Sequence, residues 1–171
     1  STPAALVDEL AAARITVAAV TDHDTTAGIA EVTALAAARG IRVVPGIEIT
    51  AVAGDEDVHM LGYGFDVGDP SLATFLEAQR QDRRRRLEAM GARLAGRPLA
   101  RKRSNAAAMD VTWPAAFERF LASGRPAFIA RRGATPLDVV GIVHAAGGVV
   151  SVAHPGKLAS DALIEPLAAS S

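Results

Sequence analysis

The sequence predicts an α/β fold with a parallel sheet or barrel at its centre, and three observations carry that prediction. Capped helical patterns alternate with short apolar runs, in the order helix, strand, helix, strand, over residues 1–50. Hydrophobic residues make up 50% of the 171 residues, enough to build one domain's core and a modest insertion. Two apolar runs end in polar clusters: Ile15 to Val20 leads into Asp22-His23-Asp24, and Val149 to Ala153 into His154-Pro155-Gly156. The carboxyl ends of strands are where open α/β sheets and barrels keep their ligands.

Taken in order, Thr2-Pro3 is a helix start, a cap followed by proline at the first helical position. Leu6, Val7, Leu10 and Ala13 give that helix an apolar face, and Ile15 to Val20 reads as a buried first strand. Thr25 or Thr26 is expected to cap a second helix with Ile29, Val32 and Leu35 inward and Gly40 as its stop. Ile41 to Thr50 is the second strand, expected to kink at Pro45-Gly46, and Val58 to Phe65 is the third. These two are too close in sequence for a crossover, so they form an antiparallel hairpin.

Asp69-Pro70 opens a long helix to about Ala95, with Leu72, Phe75, Leu76, Leu87, Met90 and Leu94 as its buried stripe. The consecutive Arg83 to Arg86 fan around about 300° of that helix, so they cannot share one solvated face, and Arg83 falls in the gap of the stripe. Residues 96–109 read as an irregular basic break and 110–121 as another helix, with Trp113 in its first turn. Phe128 to Arg131 is expected as a short strand, and Thr135-Pro136 starts a further helix closed by Gly147-Gly148. Val149 to Ala153 is a strand and 160–169 a last helix. The organisation expected is residues 1–66 and 131–171 as two parts of one α/β body, with 67–130 as a helical insertion.

Composition excludes several classes. The chain has no cysteine, which rules out a disulfide scaffold and thiolate metal sites and fits a cytoplasmic setting. Asp8 and Glu9 interrupt the N-terminal stretch, and the apolar window 139–152 holds His144 and two glycines, so neither a signal peptide nor a membrane span is expected. The net charge of −1 hides a split: residues 80–103 carry ten basic and two acidic side chains, a local +8 against −9 elsewhere. A positive segment of this kind steers polyanions. As a separate nucleic-acid-binding helix it lacks the aromatics that stack bases.

Three of the four histidines adjoin apolar strands: His23, His59 and His154. A lone histidine there is more often structural, but three together with Glu48 point to a metal. Histidine and carboxylate without cysteine suit Zn, Mn or Fe. A hairpin centred at Ala53 and Gly54 would place Glu48 directly opposite His59, roughly 5 Å apart at Cβ. Asp22 and Asp24 flank His23, and either is placed to orient a ligand from behind. His144, at the edge of a helical stripe, reads as structural.

The segments TDHDT at 21–25, GIEIT at 46–50, VHMLGY at 58–63 and AGGVVSVAHPG at 146–156 resemble, in that order, the PHP (polymerase and histidinol phosphatase) family of phosphoesterases. The insertion followed by GRPAF at 124–128 resembles its branch of nucleoside 3′,5′-bisphosphate phosphatases, which also trim short RNA from the 5′ end. The resemblance implies a distorted (β/α)7 barrel, incomplete in this chain, with two or three Mn, Fe or Zn ions. It implies His23, Glu48, His59 and His154 as metal ligands and Arg132 and Lys157 near the substrate phosphate.

It further implies a metal-activated water as attacker, with no catalytic protein nucleophile. The expected substrates are phosphorylated nucleotides or short oligoribonucleotides, with no membrane and no protein partner indicated. The family's leading His-x-His and late Asp-x-His are not in these residues. The chain is therefore expected to be part of a longer protein and, by itself, to hold metal weakly and hydrolyse phosphate esters poorly. The alternatives are a degenerate, non-catalytic PHP module and a histidinol-phosphate-type phosphatase.

Overall fold

A computed structural model of the chain describes residues 2–54, 56–95, 120–122 and 124–157. The expected segments over 96–109, 110–119 and 160–169 lie outside the described residues. Two compact units emerge, one from residues 1–79 and 133–171, the other from 80–132.

The first unit opens with α1 (Pro3–Ala12), where the Thr2 side chain accepts the Ala5 N–H at 3.3 Å and Pro3 sits in the first turn. Val7 is buried, and Leu6 and Leu10 pack on the core. Strand β1 (Val17–Val20) is shorter than the apolar run that announced it. It is also not the buried strand expected, since Ile15 and Val17 are 39% and 46% exposed. Helix α2 (Ile29–Ala37) starts from Gly28, with no side-chain cap, because Thr25 Oγ1 is occupied by the Ala27 N–H in the loop before it. Ile29, Val32 and Ala36 face inward; Leu35 lies about 120° round from Ile29 and is exposed.

Strand β2 (Arg42–Ala53) runs unbroken through Pro45-Gly46, where a kink was expected, and changes partner there instead. Arg42 to Pro45 pair in parallel with β1, and Gly46 to Ala53 pair antiparallel with β3 (Glu56–Tyr63). Proline has no N–H to give a ladder, and its carbonyl accepts from Gly64 at 2.8 Å. Gly46 is demanded by close approach: a Cβ there would lie 2.7 Å from the Val20 carbonyl oxygen and 2.9 Å from Thr21 Cγ2. The β2–β3 loop turns at Gly54, whose φ of +61° suits a two-residue hairpin turn.

Helix α3 (Pro70–Ala95) begins with Asp69 Oδ1 accepting the Leu72 N–H at 2.7 Å. Leu72 and Leu76, in its first turns, are buried in the core. Helix α4 (Pro136–Ala145) carries the expected cap in full: the Thr135 side chain accepts from Asp138 N, and the Asp138 carboxylate accepts from Thr135 N. Strand β4 (Val149–Val152) pairs antiparallel with β3, Met60 facing Val152. The sheet order is β1-β2-β3-β4, with one parallel and two antiparallel pairings. Among the described residues the fold is mixed α/β with an open, mixed sheet, and the strands of the distorted (β/α)7 barrel, expected to be incomplete in this chain, do not close there. Its core face is Ile47, Ile49, Ala51, Val58 and Met60, covered by Val139, Val140 and Val143 of α4.

The second unit holds the later turns of α3 and the chain from 124 to 132. Among its described residues Met90 and Ala127 are the buried apolar ones. Leu87, expected inward, is 62% exposed. Arg86 turns inward, its Nε donating to the Ile129 carbonyl at 2.6 Å with the guanidinium over the Phe128 ring. Arg93 donates to the Phe128 carbonyl. Residues 128–131 therefore form no strand: two of their carbonyls are taken by arginines rather than by a ladder.

Gly46→Ala should destabilise the fold by about 1–3 kcal/mol, the scale of overpacking, read as a lower urea midpoint. Thr135→Ala should cost about 1 kcal/mol through the lost cap. The Thr135 hydroxyl, then its N–H, holds the Asp138 carboxyl below the ordinary 3.8. That contribution is complete above pH 3.8 and fades as pH falls through the lower folded value. The stability gap between wild type and Asp138→Ala, from urea titrations at several pH values, should narrow on acidification and stay flat above pH 5.

Candidate metal centre

The period of two along β2 builds the site. Ile47, Ile49 and Ala51 are buried in the core, so Glu48 and Thr50 point to the opposite face of the sheet. Across the hairpin, Thr50 faces His59 and Glu48 faces Leu61. The direct opposition of Glu48 and His59 expected from sequence is thus off by two residues. The turn is centred one position later than assumed, and each step there moves the partner by two. A slip of two keeps the face, so Glu48 and His59 meet diagonally, with Oε1 and Nδ1 2.7 Å apart.

His23 arrives from the other side of β2. After β1 ends, the chain touches β2 once more at a parallel bridge between His23 and Glu48. Paired residues share a face, and His23 Nε2 lies 3.7 Å from Glu48 Oε2. His154 comes from beyond β4. The Ala153 N–H donates to the His59 carbonyl at 2.8 Å, so an extended residue 154 would point to the core face. Its φ of +50° breaks the alternation, and His154 Nε2 stands 4.0 Å from Glu48 Oε1. The His23 and His59 rings meet edge-on with centroids 5.2 Å apart, and those of His59 and His154 at 6.1 Å.

One donor atom from each of His23, Glu48 and His59 lies within 4.8 Å of the others, a spacing that can hold a metal ion. The donor chemistry fits as well. Glu48 Oε1 is buried and has no hydrogen-bond partner, although His59 Nδ1 is only 2.7 Å away. Close contact without hydrogen-bond alignment is what two ligands aimed at a common centre would show. Nitrogen and oxygen donors without sulfur favour a borderline divalent cation.

Arg132 is exposed in the second unit, its N–H donating to Asp82 Oδ2 at 3.3 Å. Lys157 ends a short 3-10 turn, Pro155–Lys157. His144 is exposed in the last turn of α4. Asp22 is exposed, whereas Asp24 is 2% exposed with its carboxylate on the Thr50 N–H at 3.1 Å. Thr50, 1% exposed, was missed in sequence. Its only signal was a polar residue alternating with Ile47 and Ile49.

No family model matches the chain. It is 33% identical over 177 residues to a 3′,5′-nucleoside bisphosphate phosphatase of Chromobacterium violaceum, covering 91% of this chain and 62% of that protein. It is 31% identical to a 5′-3′ exoribonuclease of Haemophilus influenzae, covering 90% of this chain and 63% of that one. Among solved structures, an amidohydrolase from Chromobacterium violaceum, with bound sulfate and no metal, superposes with a TM-score of 0.79 at 34% identity. The match covers 98% of this chain and 67% of that one. A Bifidobacterium adolescentis protein assigned as a metal-dependent phosphoesterase gives a TM-score of 0.80 at 25% identity. The chain belongs to the PHP family of phosphoesterases. It spans about three fifths of the length of the curated relatives it matches. Among the described residues no helix is long and apolar enough to cross a membrane.

Glu48→Gln should weaken divalent-metal binding by at least the 10- to 100-fold that loss of a ligand-orienting group costs, with little change in folding stability. Calorimetric titration with Mn or Zn, beside a urea melt, measures both.

Proposed function

We propose that the chain carries a metal-dependent phosphoesterase site that hydrolyses phosphate monoesters of nucleotides, with His23, Glu48, His59 and His154 as the metal ligands. The single observation that carries this reading is the convergence of three imidazoles on the half-buried Glu48 carboxylate. Two or three divalent ions, Mn, Fe or Zn, would supply an activated water and neutralise the phosphate under attack. The relatives' names support a nucleoside 3′,5′-bisphosphate or the 5′ end of a short RNA as substrate. The cysteine-free composition supports a cytoplasmic setting.

Glu48 is central because its two oxygens face different partners: Oε2 faces His23, and Oε1 faces His59 and His154. One carboxylate can thus serve two groups of imidazoles and offset the charge gathered between them. The histidines must be neutral to ligate, so binding weakens as they protonate. We assign residues 67–130 to an insertion in the barrel body, and Arg132 and Lys157 to the substrate phosphate. The chain places no serine or cysteine in a nucleophile motif, which supports a water attacker.

Release of inorganic phosphate by the full-length protein from a nucleoside 3′,5′-bisphosphate, histidinol phosphate and a simple diester, with Mn present, tests this reading. The bisphosphate should be preferred, chelation should abolish turnover, and Glu48→Gln should lower it by at least about 100-fold, the scale of a lost charge-stabilising group. Preference for histidinol phosphate would move the protein to the other branch. Failure to bind metal at all would leave a non-catalytic module.

A further inference from the structure

The parallel ladder between β1 and β2 pairs Val17 with Arg42 through Val20 with Pro45 and touches again at the His23–Glu48 bridge. At that bridge the Glu48 N–H donates to the Asp22 carbonyl at 3.1 Å, and the Asp24 N–H donates to the Glu48 carbonyl at 2.9 Å. Had the strand continued, the next bond would run from the Thr50 N–H to the Asp24 carbonyl. The chain does not continue. Asp24 has a φ of +53° and turns the backbone away towards α2. The Thr50 N–H, on a residue 1% exposed, would lose its acceptor, and a buried N–H without one is costly. It donates to Asp24 Oδ1 instead, at 3.1 Å.

We propose that Asp24 is the positioning residue of the His23–Glu48–His59 cluster, its carboxylate replacing the strand carbonyl that the turn removes. Asp24 touches the backbone on both sides of Glu48: its N–H holds the Glu48 carbonyl and its carboxylate holds Thr50. Thr50 is in turn the residue facing His59 across the hairpin, and its carbonyl accepts from Gln79 Nε2 at 3.1 Å. One residue, through its backbone N–H and its carboxylate, therefore ties together the backbones that carry all three donors. Aspartate suits the position twice over, since with asparagine it best tolerates a left-handed backbone, and it brings an acceptor of the right reach.

The proposal rests on the metal reading of the cluster for its functional consequence, and the experiment separates the two. Mn binding to the full chain is titrated for wild type, Asp24→Gly, Asp24→Asn and Glu48→Gln, with urea midpoints and hydrogen exchange of the Thr50 amide followed in parallel. Glycine accepts the positive φ and removes the carboxylate; asparagine keeps the backbone tolerance and an acceptor. In Asp24→Gly the Thr50 amide should lose protection and Mn affinity should fall about 10- to 100-fold, whereas Asp24→Asn should stay within about threefold of wild type. A role confined to stability would lower the urea midpoint and leave the affinity of the folded protein unchanged, and that result overturns the proposal. An Asn variant as weak as the Gly variant overturns it too, since charge rather than the acceptor would then matter. Should the Gly variant not fold, the Asn variant decides by the same criterion. If Glu48→Gln binds Mn as tightly as wild type, the metal reading fails on its own. Thr50 exchange and the His23 and His59 imidazole resonances then test the positioning alone: both should shift in the Gly variant and return in the Asn variant, and unshifted signals overturn it.

Discussion

A single strand has to serve two environments, and the rest of the structure follows from that constraint. Every second residue of β2 from Ile47 to Ala51 is buried beneath α4, so the residues between them are held on the other face without choice of rotamer or loop. Glu48 is one of these. The burial of its neighbours, at about 25 cal/mol for each Å² of apolar surface removed from water, fixes the face from which its carboxylate projects. The imidazoles then arrive from three separate segments, and Glu48 is the point they share.

The hairpin and the helix starts at Thr2, Asp69 and Thr135 were legible in the sequence for physical reasons, whereas the cap expected at Thr25 or Thr26 is not formed. Apolar alternation around a short polar turn specifies a hairpin, and a slip of two residues in its register leaves the face intact; a slip of one would have put His59 in the core. Thr135-Pro136 gave its cap correctly because that device is local, Thr135 to Asp138. What misled was composition read as burial. Ile15 and Val17 are apolar but exposed, and Leu87 is outward while Arg86 turns in. In the second unit arginine guanidinium groups meet backbone carbonyls, a job that a hydrophobic stripe does not reveal.

The candidate site was legible as a set of residues but not as a mechanism of placement. His23, Glu48 and His59 could be named from their neighbourhoods, and the structure brings them within one small volume. The contribution of Thr50 could not be read, because a buried threonine amide leaves no mark in sequence. Asp24 was visible as an acid beside His23, yet its bond is to a strand 26 residues away. The sequence order His23-Asp24 suggests an acid serving its neighbouring imidazole. The geometry shows the acid on the backbone of the strand that the imidazole faces.

Asp24 and His154 share one further property that explains why the site sits at strand ends. Both have positive φ, +53° and +50°, a region that costs a residue with a side chain roughly 1–3 kcal/mol. In a regular strand each side chain's face is dictated by its register, so two neighbouring strands cannot both aim arbitrary residues at one point. Leaving the ladder through a left-handed residue removes that dictation. At His154 it swings the imidazole from the core side towards Glu48. At Asp24 it frees the chain to depart for α2 just after His23 has been set against Glu48. The strain is tolerable because each break is bonded to an adjoining strand: Asp24 to Glu48 and Thr50, and Ala153, just before His154, to the His59 carbonyl. The third imidazole, that of His154, thus reaches the site only by broken alternation, and the hydrogen bonds beside both breaks fall on the strands that carry Glu48 and His59.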